Sequence, residues 1–154
     1  ERGTVKGFPH AGWIDDDDFW ASDVDIFVPA AIENQVHAEN APRIQARVIV
    51  EAANGPTTLE AEEMLTARGV EILPDILMNA GGVIVSYFEW VQNRSAQRWS
   101  LDDVDYKLRE VLWRACDAVV EARRDYEVDS RRDAAYAVAL SRLQTVYRQR
   151  GIFP

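Results

Sequence analysis

The 154-residue sequence contains a single cysteine, so no disulfide can form within the chain. Cys116 lies among Leu112, Ala115 and Val119 on an apolar helical stripe. This position predicts an unreactive thiol packed in the core rather than a nucleophile.

Basic charge and long apolar runs are also scarce. Lysine and arginine total 17 against 26 acidic residues, giving a net charge of −9, which is not the basic footprint of a protein that binds nucleic acid or anionic lipid. No run approaches the ~20 apolar residues of a membrane span, and no cationic, hydrophobic leader is visible. We therefore expect a cytoplasmic protein with neither nucleic acid nor membrane as a partner.

Metal-ligand patterns are missing as well. Four aspartates run from Asp15 to Asp18 before Phe19 and Trp20, but no histidine or cysteine accompanies them. Adjacent side chains point in different directions, and acidic groups stabilise helix N-termini. The run predicts the start of a short helix, and we expect no metal site.

With 47% hydrophobic and 28% charged residues, the chain can form one globular domain with a substantial core. Apolar runs at residues 24–28, 48–50 and 70–73 predict three buried strands. Between the second and third, Thr57 and Glu60 match a helix capping box and Gly69 supplies a stop. A strand, helix, strand unit implies a parallel crossover, so we expect an α/β fold with about three parallel strands.

Two long helices follow residue 93. Ser100 and Asp103 predict the cap of the first helix, and the second covers roughly residues 131–148. Each has an apolar stripe, so both are interpreted as scaffold, with their arginines on a solvated face. The predicted organisation is a strand and helix segment at 1–93 and a helical segment at 100–150.

Small and amide side chains follow the predicted strand ends. Ala30 and Ala31 follow the first strand, Asn54 the second and Asn79 the third. Parallel strands present their carboxyl ends along one edge, where open α/β sheets bind ligands. The amides suit the carboxamide or ribose of a nicotinamide nucleotide, although each asparagine alone is more often a turn residue.

The stretch 74–93 joins a strand end, two glycines and an amphipathic helix. Asn79, Val83 and Ser86 fall on one helical stripe, with Ile84, Phe88 and Val91 on the opposite one. Gly81 and Gly82 lack a Cβ, so a ligand can approach the backbone N–H groups there. Alternatively, the two glycines let the helix pack tightly against a strand.

The eight glycines never form the Gly-x-Gly-x-x-Gly turn that brings a pyrophosphate to a helix N-terminus. The acidic residue that holds the adenosine ribose cannot be placed either. We therefore interpret residues 1–154 as a partial dinucleotide-binding domain, the second half of a doubly wound, Rossmann-like parallel sheet.

Three segments resemble glutamate dehydrogenase, in the Glu/Leu/Phe/Val dehydrogenase family, within the carboxy-terminal part of its NAD(P)-binding domain. They are residues 25–35 (DIFVPAAIENQ), 51–58 (EAANGPTT) and 79–90 (NAGGVIVSYFEW), and residues 132–136 (RDAAY) of the closing helix add to them. The likeness covers nearly the whole chain, with the motifs in the family's order and spacing.

The resemblance implies NAD- or NADP-dependent oxidative deamination of L-glutamate to 2-oxoglutarate and ammonia. It implies that Ala30 or Ala31 lines the cofactor cleft and that Asn54 and Asn79 contact the nicotinamide side. Val83 and Ser86 would face the substrate, with Ser86 bonding its side-chain carboxylate. The family's usual hexamer implies a homo-oligomer.

Leucine, phenylalanine and valine dehydrogenases keep the glycine pair but usually lack this serine and the Tyr-Phe-Glu-Trp run, so glutamate is the preferred substrate. The family's catalytic lysine and aspartate belong to an amino-terminal substrate domain. Neither Lys6 nor Lys107 matches that lysine, so we assign no catalytic residue and expect the isolated chain to be inactive. A non-catalytic nucleotide-binding or assembly module is the alternative from another class.

A doubly wound domain would place another strand beside residues 24–28. Without it, an apolar strand would have unpaired backbone groups. We expect this edge to be covered by self-association or by a rearranged terminal segment.

Overall fold

The computed structural model describes residues 7–151, so Lys6 lies outside the described part. Three strands, β1 (Ile26–Phe27), β2 (Val48–Val50) and β3 (Glu71–Leu73), form one parallel sheet in the order β1-β2-β3. The helices are α1 (Asp16–Trp20), α2 (Leu59–Ala67), α3 (Asp75–Met78), α4 (Ala80–Ser95), α5 (Leu101–Asp125) and α6 (Arg131–Arg150), with a 3-10 turn at Ala41–Arg43. The expected α/β fold, a Rossmann-like part with three parallel strands and long carboxy-terminal helices, is confirmed.

Helix starts follow the side chains that can cap them. The Asp15 carboxylate accepts a hydrogen bond from the Asp18 N–H at 2.9 Å, so the acidic run begins a short helix as predicted. The α2 cap is displaced by one residue, because the Thr58 hydroxyl accepts from the Ala61 N–H. Thr57 instead pairs with Val36 in an isolated parallel bridge.

The prediction of a buried strand at residues 24–28 is wrong in extent and in burial. β1 comprises only Ile26 and Phe27, and the side chains of Val24, Ile26 and Val28 are exposed, Ile26 by 56%. β1 pairs with β2 on one side only, so it forms the sheet edge. Among these residues, only Phe27 packs against the core, beside Trp20.

The apolar residues form two clusters. The first lies between the sheet, α2 and the 3-10 turn, and its buried members are Val36, Ala41, Ile44, Ala46, Ile49, Ala61, Leu65, Val70 and Ile72. The second lies where α3, α5 and α6 meet, with Leu77, Val119, Ala122, Ala134 and Ala135 buried. Cys116 is partly buried against this second cluster, in agreement with a packed thiol.

The long helices are confirmed, and Ser100 and Asp103 form a complete capping box. Their stripes are only partly covered: Val119 and Ala135 are buried, whereas Leu101 and Leu143 are exposed. No helix within residues 7–151 has the length and apolar character needed to cross a bilayer.

The prediction that the arginines of these helices form a solvated face is wrong at the start of α6. Arg131 pairs with Glu71 of β3, and Arg132 has a side chain only 18% exposed that contacts three carboxylates. These ion pairs join α6 to the sheet.

Candidate functional site

A cavity of about 810 Å³ lies at the carboxyl ends of the strands. Its lining comes from the segments after all three strands and from the start of α4: Ala30, Ala31, Ile32, Glu33, Ala52, Ala53, Asn54, Asn79 and Val83. The N–H groups of Ala52 and Ala53 donate to Pro29 O at 3.1 and 3.0 Å, which ties the ends of β1 and β2 together. The topology thus brings distant segments of the chain to one crevice.

The two predicted asparagines meet in this crevice. Asn79 Nδ2 donates to Asn54 Oδ1 at 2.6 Å. No hydrogen bond within the described residues uses Asn54 Nδ2 or Asn79 Oδ1, so the pair retains donor and acceptor capacity. A carboxamide has the complementary acceptor and donor on one planar group.

The small residues leave space beside the pair. Ala30 and Ala31 are exposed at the crevice wall. A Cβ added to Gly81 or Gly82 would meet nothing within 4 Å outside the helix's own nearby backbone, so neither glycine is required for close packing against a strand. Open space around the first turn of α4 favours the interpretation in which a ligand approaches the backbone over the alternative in which the helix packs tightly against a strand.

The two faces of α4 have the predicted division. Phe88 is buried and Ile84 and Val91 are half-buried, whereas Val83 is 68% exposed on the face that borders the crevice. Ser86 is exposed one turn farther along this helix and is not among the lining residues. The structure therefore brings together Ala30, Ala31, Asn54, Asn79 and Val83, with Ser86 beyond the cavity.

Sequence reasoning missed a charged cluster behind the crevice. Arg132 donates through Nε to Glu62 Oε2 at 2.7 Å, through Nη1 to Asp75 Oδ1 at 2.8 Å and through Nη2 to Glu51 Oε2 at 2.8 Å. Glu51 is fully buried, and its Oε2 also accepts the Asp75 N–H at 2.9 Å. The sequence signals were the positions of Glu51 directly after β2 and Asp75 two residues after β3, and the fact that Glu51 and Arg132 begin two of the resembling motifs.

The guanidinium stays charged in this cluster. Burial lowers the pKa of Arg132, but hydrogen bonds and charge from Glu51 and Glu62 outweigh that effect and hold the pKa above its ordinary value. The paired cation stabilises the buried Glu51 carboxylate, which would otherwise be costly to desolvate.

Lys107, one of the two lysines, is engaged on α5. Its ammonium lies 5.0 Å from the centre of the Trp99 ring. Lys107 does not line the crevice, in keeping with the expectation that it plays no part there.

Comparison with known proteins gives consistent matches. The family model for Glutamate/Leucine/Phenylalanine/Valine dehydrogenase matches residues 1–151. Glutamate dehydrogenase of Thermotoga maritima is 47% identical over 154 residues, covering 100% of this chain and 37% of that protein. The NAD-specific glutamate dehydrogenase of Clostridioides difficile is 44% identical, covering 98% and 36%. Other relatives include an NADP-specific glutamate dehydrogenase.

Solved structures agree with the sequence relatives. The hetero-hexameric glutamate dehydrogenase of Thermus thermophilus, in a leucine-bound form, superimposes with a TM-score of 0.85 at 33% identity, covering 90% of this chain and 33% of that one. The chain thus spans little more than a third of the length of the relatives it matches. The match over residues 1–151 and the crevice at the strand ends together place this chain in the glutamate/leucine/phenylalanine/valine dehydrogenase family.

Proposed function

We propose that these residues form the carboxy-terminal part of the NAD(P)-binding domain of a glutamate dehydrogenase. The full-length protein would oxidatively deaminate L-glutamate to 2-oxoglutarate and ammonia, with NAD or NADP as cofactor. The observation that carries this proposal is the Asn54 and Asn79 amide pair in a crevice at the carboxyl ends of parallel strands.

When bound, the nicotinamide ring would accept the hydride that leaves the substrate Cα. Asn54 and Asn79 would hold the ring's carboxamide and so orient the ring toward the substrate. Ala30 and Ala31 leave room for the nucleotide along the crevice wall. Val83 contributes apolar surface that excludes water from the reacting atoms.

Ser86 carries the preference for glutamate in this proposal. It lies three residues after Val83 on α4, so both side chains project to the same side of the helix. Ser86 would donate a hydrogen bond to the substrate's side-chain carboxylate at the outer end of the crevice. Leucine-, phenylalanine- or valine-type activity is the competing assignment, and an apolar amino acid would leave that hydroxyl unused.

The proton-transfer groups are expected in other parts of the full-length protein. Within residues 7–151, the crevice lining contains one ionisable side chain, Glu33, and no lysine. The isolated 154 residues are therefore expected to be inactive. A non-catalytic nucleotide-binding or assembly module remains the alternative, supported by the same lack of a lysine.

A substitution of Asn79 tests the proposal. Asn79→Asp replaces a donor nitrogen by an oxygen that faces Asn54 Oδ1, so the amide pair breaks. The full-length protein should bind NADH or NADPH about tenfold more weakly, the loss of roughly one hydrogen bond. Fluorescence titration measures this, with Asn93→Asp, which makes the same charge change on the exposed part of α4, as control. Equal affinities for both variants and the unmodified protein would contradict the assignment.

The partners and location follow from the same proposal. We expect the full-length protein to assemble as a homo-oligomer, with a hexamer as the specific expectation, which sedimentation velocity can check. A cytoplasmic location stays a prediction that cell fractionation can test.

A further inference from the structure

Arg132 connects three separate elements through one planar side chain. Its partners are Glu62 of α2, Glu51 directly after β2, and Asp75 at the start of α3. All three nitrogens of the guanidinium donate, at 2.7 to 2.8 Å. Arg132 therefore fixes the ends of β2 and β3 relative to each other.

Asp75 transmits this arrangement to the crevice. Its Oδ1 accepts from Arg132, while its Oδ2 accepts the Gly55 N–H at 2.8 Å. Its backbone oxygen accepts the Asn79 N–H at 3.0 Å. One residue thus holds both the peptide group that follows Asn54 and the backbone of Asn79.

The loop that carries Asn54 depends on this support. Gly55 has φ of +50°, a left-handed conformation, and its oxygen accepts the Asn34 N–H at 2.9 Å. Asn54 itself is exposed. The hydrogen bond between Asn54 and Asn79, at 2.6 Å, forms only if the loop after β2 and the start of α4 stay at a fixed distance from each other.

We propose that Arg132 is a positioning residue for the nicotinamide site. Through Asp75 it sets the spacing of Asn54 and Asn79, and so the orientation of the carboxamide they bind. This inference rests on the proposed function. Arg132 is not among the residues that line the crevice, so it would act from behind the crevice wall.

Lysine cannot perform this role. An ammonium is a compact charge without the rigid fork that lets Arg132 meet three carboxylates in fixed directions. Glu51 makes the arrangement sensitive, because its Oε1 is buried without a hydrogen-bond partner among the described residues and its Oε2 relies on Arg132 and the Asp75 N–H. Removing the fork is expected to shift Asp75 and, with it, Gly55.

Arg131 provides a matched control. It adjoins Arg132 in the first turn of α6 and also joins that helix to the sheet, through Glu71. Glu71 is the first residue of β3, at the opposite end of that strand from Asp75. Arg131→Lys therefore makes the same chemical change, in the same helix turn, at an ion pair with no connection to the asparagines.

The experiment compares two nucleotides in the full-length protein. NADH or NADPH carries the nicotinamide group, whereas ADP-ribose or its 2′-phosphate lacks it. In the Arg132→Lys variant we expect the Kd of the reduced cofactor to rise about tenfold and that of the ADP-ribose ligand to stay unchanged. Arg131→Lys should change neither. If Arg132 had a purely structural role, Arg132→Lys would lower the affinity for both ligands equally.

Other results would overturn the inference or the function beneath it. Unchanged cofactor affinity in Arg132→Lys, or an equal loss of affinity for both ligands, would refute the positioning role. A loss of affinity for the reduced cofactor alone in Asn79→Asp would still support the proposed function. An unmodified protein that binds neither ligand would refute both. If Arg132→Lys does not fold, Asp75→Asn removes the same ion pair while keeping the side chain's size, and the same selective loss is expected.

Discussion

A substitution at Gly82 distinguishes a role of this glycine in folding from a role in ligand binding. A Cβ at this position meets nothing within 4 Å beyond the helix's own nearby backbone, and alanine is the better helix former. Gly82→Ala should therefore raise the free energy of unfolding by roughly 0.5–1 kcal/mol. If the ligand approaches the backbone there, cofactor affinity should fall. Thermal unfolding and NADH titration of the same variant measure the two effects, and unchanged affinity would contradict the interpretation that a ligand approaches the backbone at Gly82.

Ser86 tests the choice of substrate. Ser86→Ala removes the hydroxyl proposed to bind the side-chain carboxylate, so kcat/KM for glutamate in the full-length protein should fall roughly ten- to hundredfold, as expected for a hydrogen bond to a charged group. The kcat/KM for norvaline, which lacks that carboxylate, should stay unchanged. Ser95→Ala, on the same helix, is the control. Equal effects on both amino acids would argue against a specificity role for Ser86.

Single residues also mark the limit of sequence reasoning. The proximity of Asn54 and Asn79 could be predicted, because the carboxyl ends of neighbouring parallel strands share one edge of the sheet. Arg132 could not, since its partners Asp75 and Glu51 lie 57 and 81 positions away in sequence. The sequence pattern around an arginine on an amphipathic helix is the same whether its side chain is solvated or buried beside carboxylates.

The α5 capping box makes a prediction about pH. Hydrogen bonds from the side chain and backbone of Ser100 hold the pKa of Asp103 below its ordinary value of 3.8. With the folded pKa depressed, the stabilisation is present above the ordinary pKa and is lost as pH falls through the folded pKa. Ser100→Ala should raise the Asp103 pKa toward its ordinary value, as followed by NMR titration of the carboxyl carbon. Ser141→Ala should leave it unchanged, and a shift in that control would contradict the assignment.

Errors at the level of elements have physical causes. The apolar run at residues 24–28 was predicted to be buried, but composition does not reveal whether another strand or helix covers it. Thr57 and Thr58 are both good caps, and only the pairing of Thr57 with Val36 selects Thr58. Parallel pairing, in contrast, followed from the crossover rule and is confirmed.

The unpaired edge of β1 predicts that the isolated chain self-associates. Ile26 and Val28 present apolar side chains at a strand that has a neighbour on one side only. The isolated chain is expected to self-associate there, since unpaired strand edges template pairing. Ile26→Lys should shift its sedimentation toward the monomer, whereas Leu101→Lys, at an exposed apolar residue of α5, should not. A monomeric unmodified chain whose β1 amides exchange freely with solvent would contradict this.

Apolar surface of the long helices is open within the described residues. In α6 the exposed apolar side chains include Leu140, Leu143, Val146 and Tyr147. Sequence periodicity correctly predicted that these two segments are helical. It could not show which stripes are covered within this chain, because that depends on what packs against them.

The most direct test of the proposed site is a crystal structure of the full-length protein with its reduced nicotinamide cofactor. The account predicts that the carboxamide lies within about 3.5 Å, hydrogen-bond distance, of the Asn54 or Asn79 side-chain amide. The ring should lie along the crevice beside Ala30 and Val83. A nicotinamide bound away from both asparagines, or at another edge of the sheet, would contradict the account.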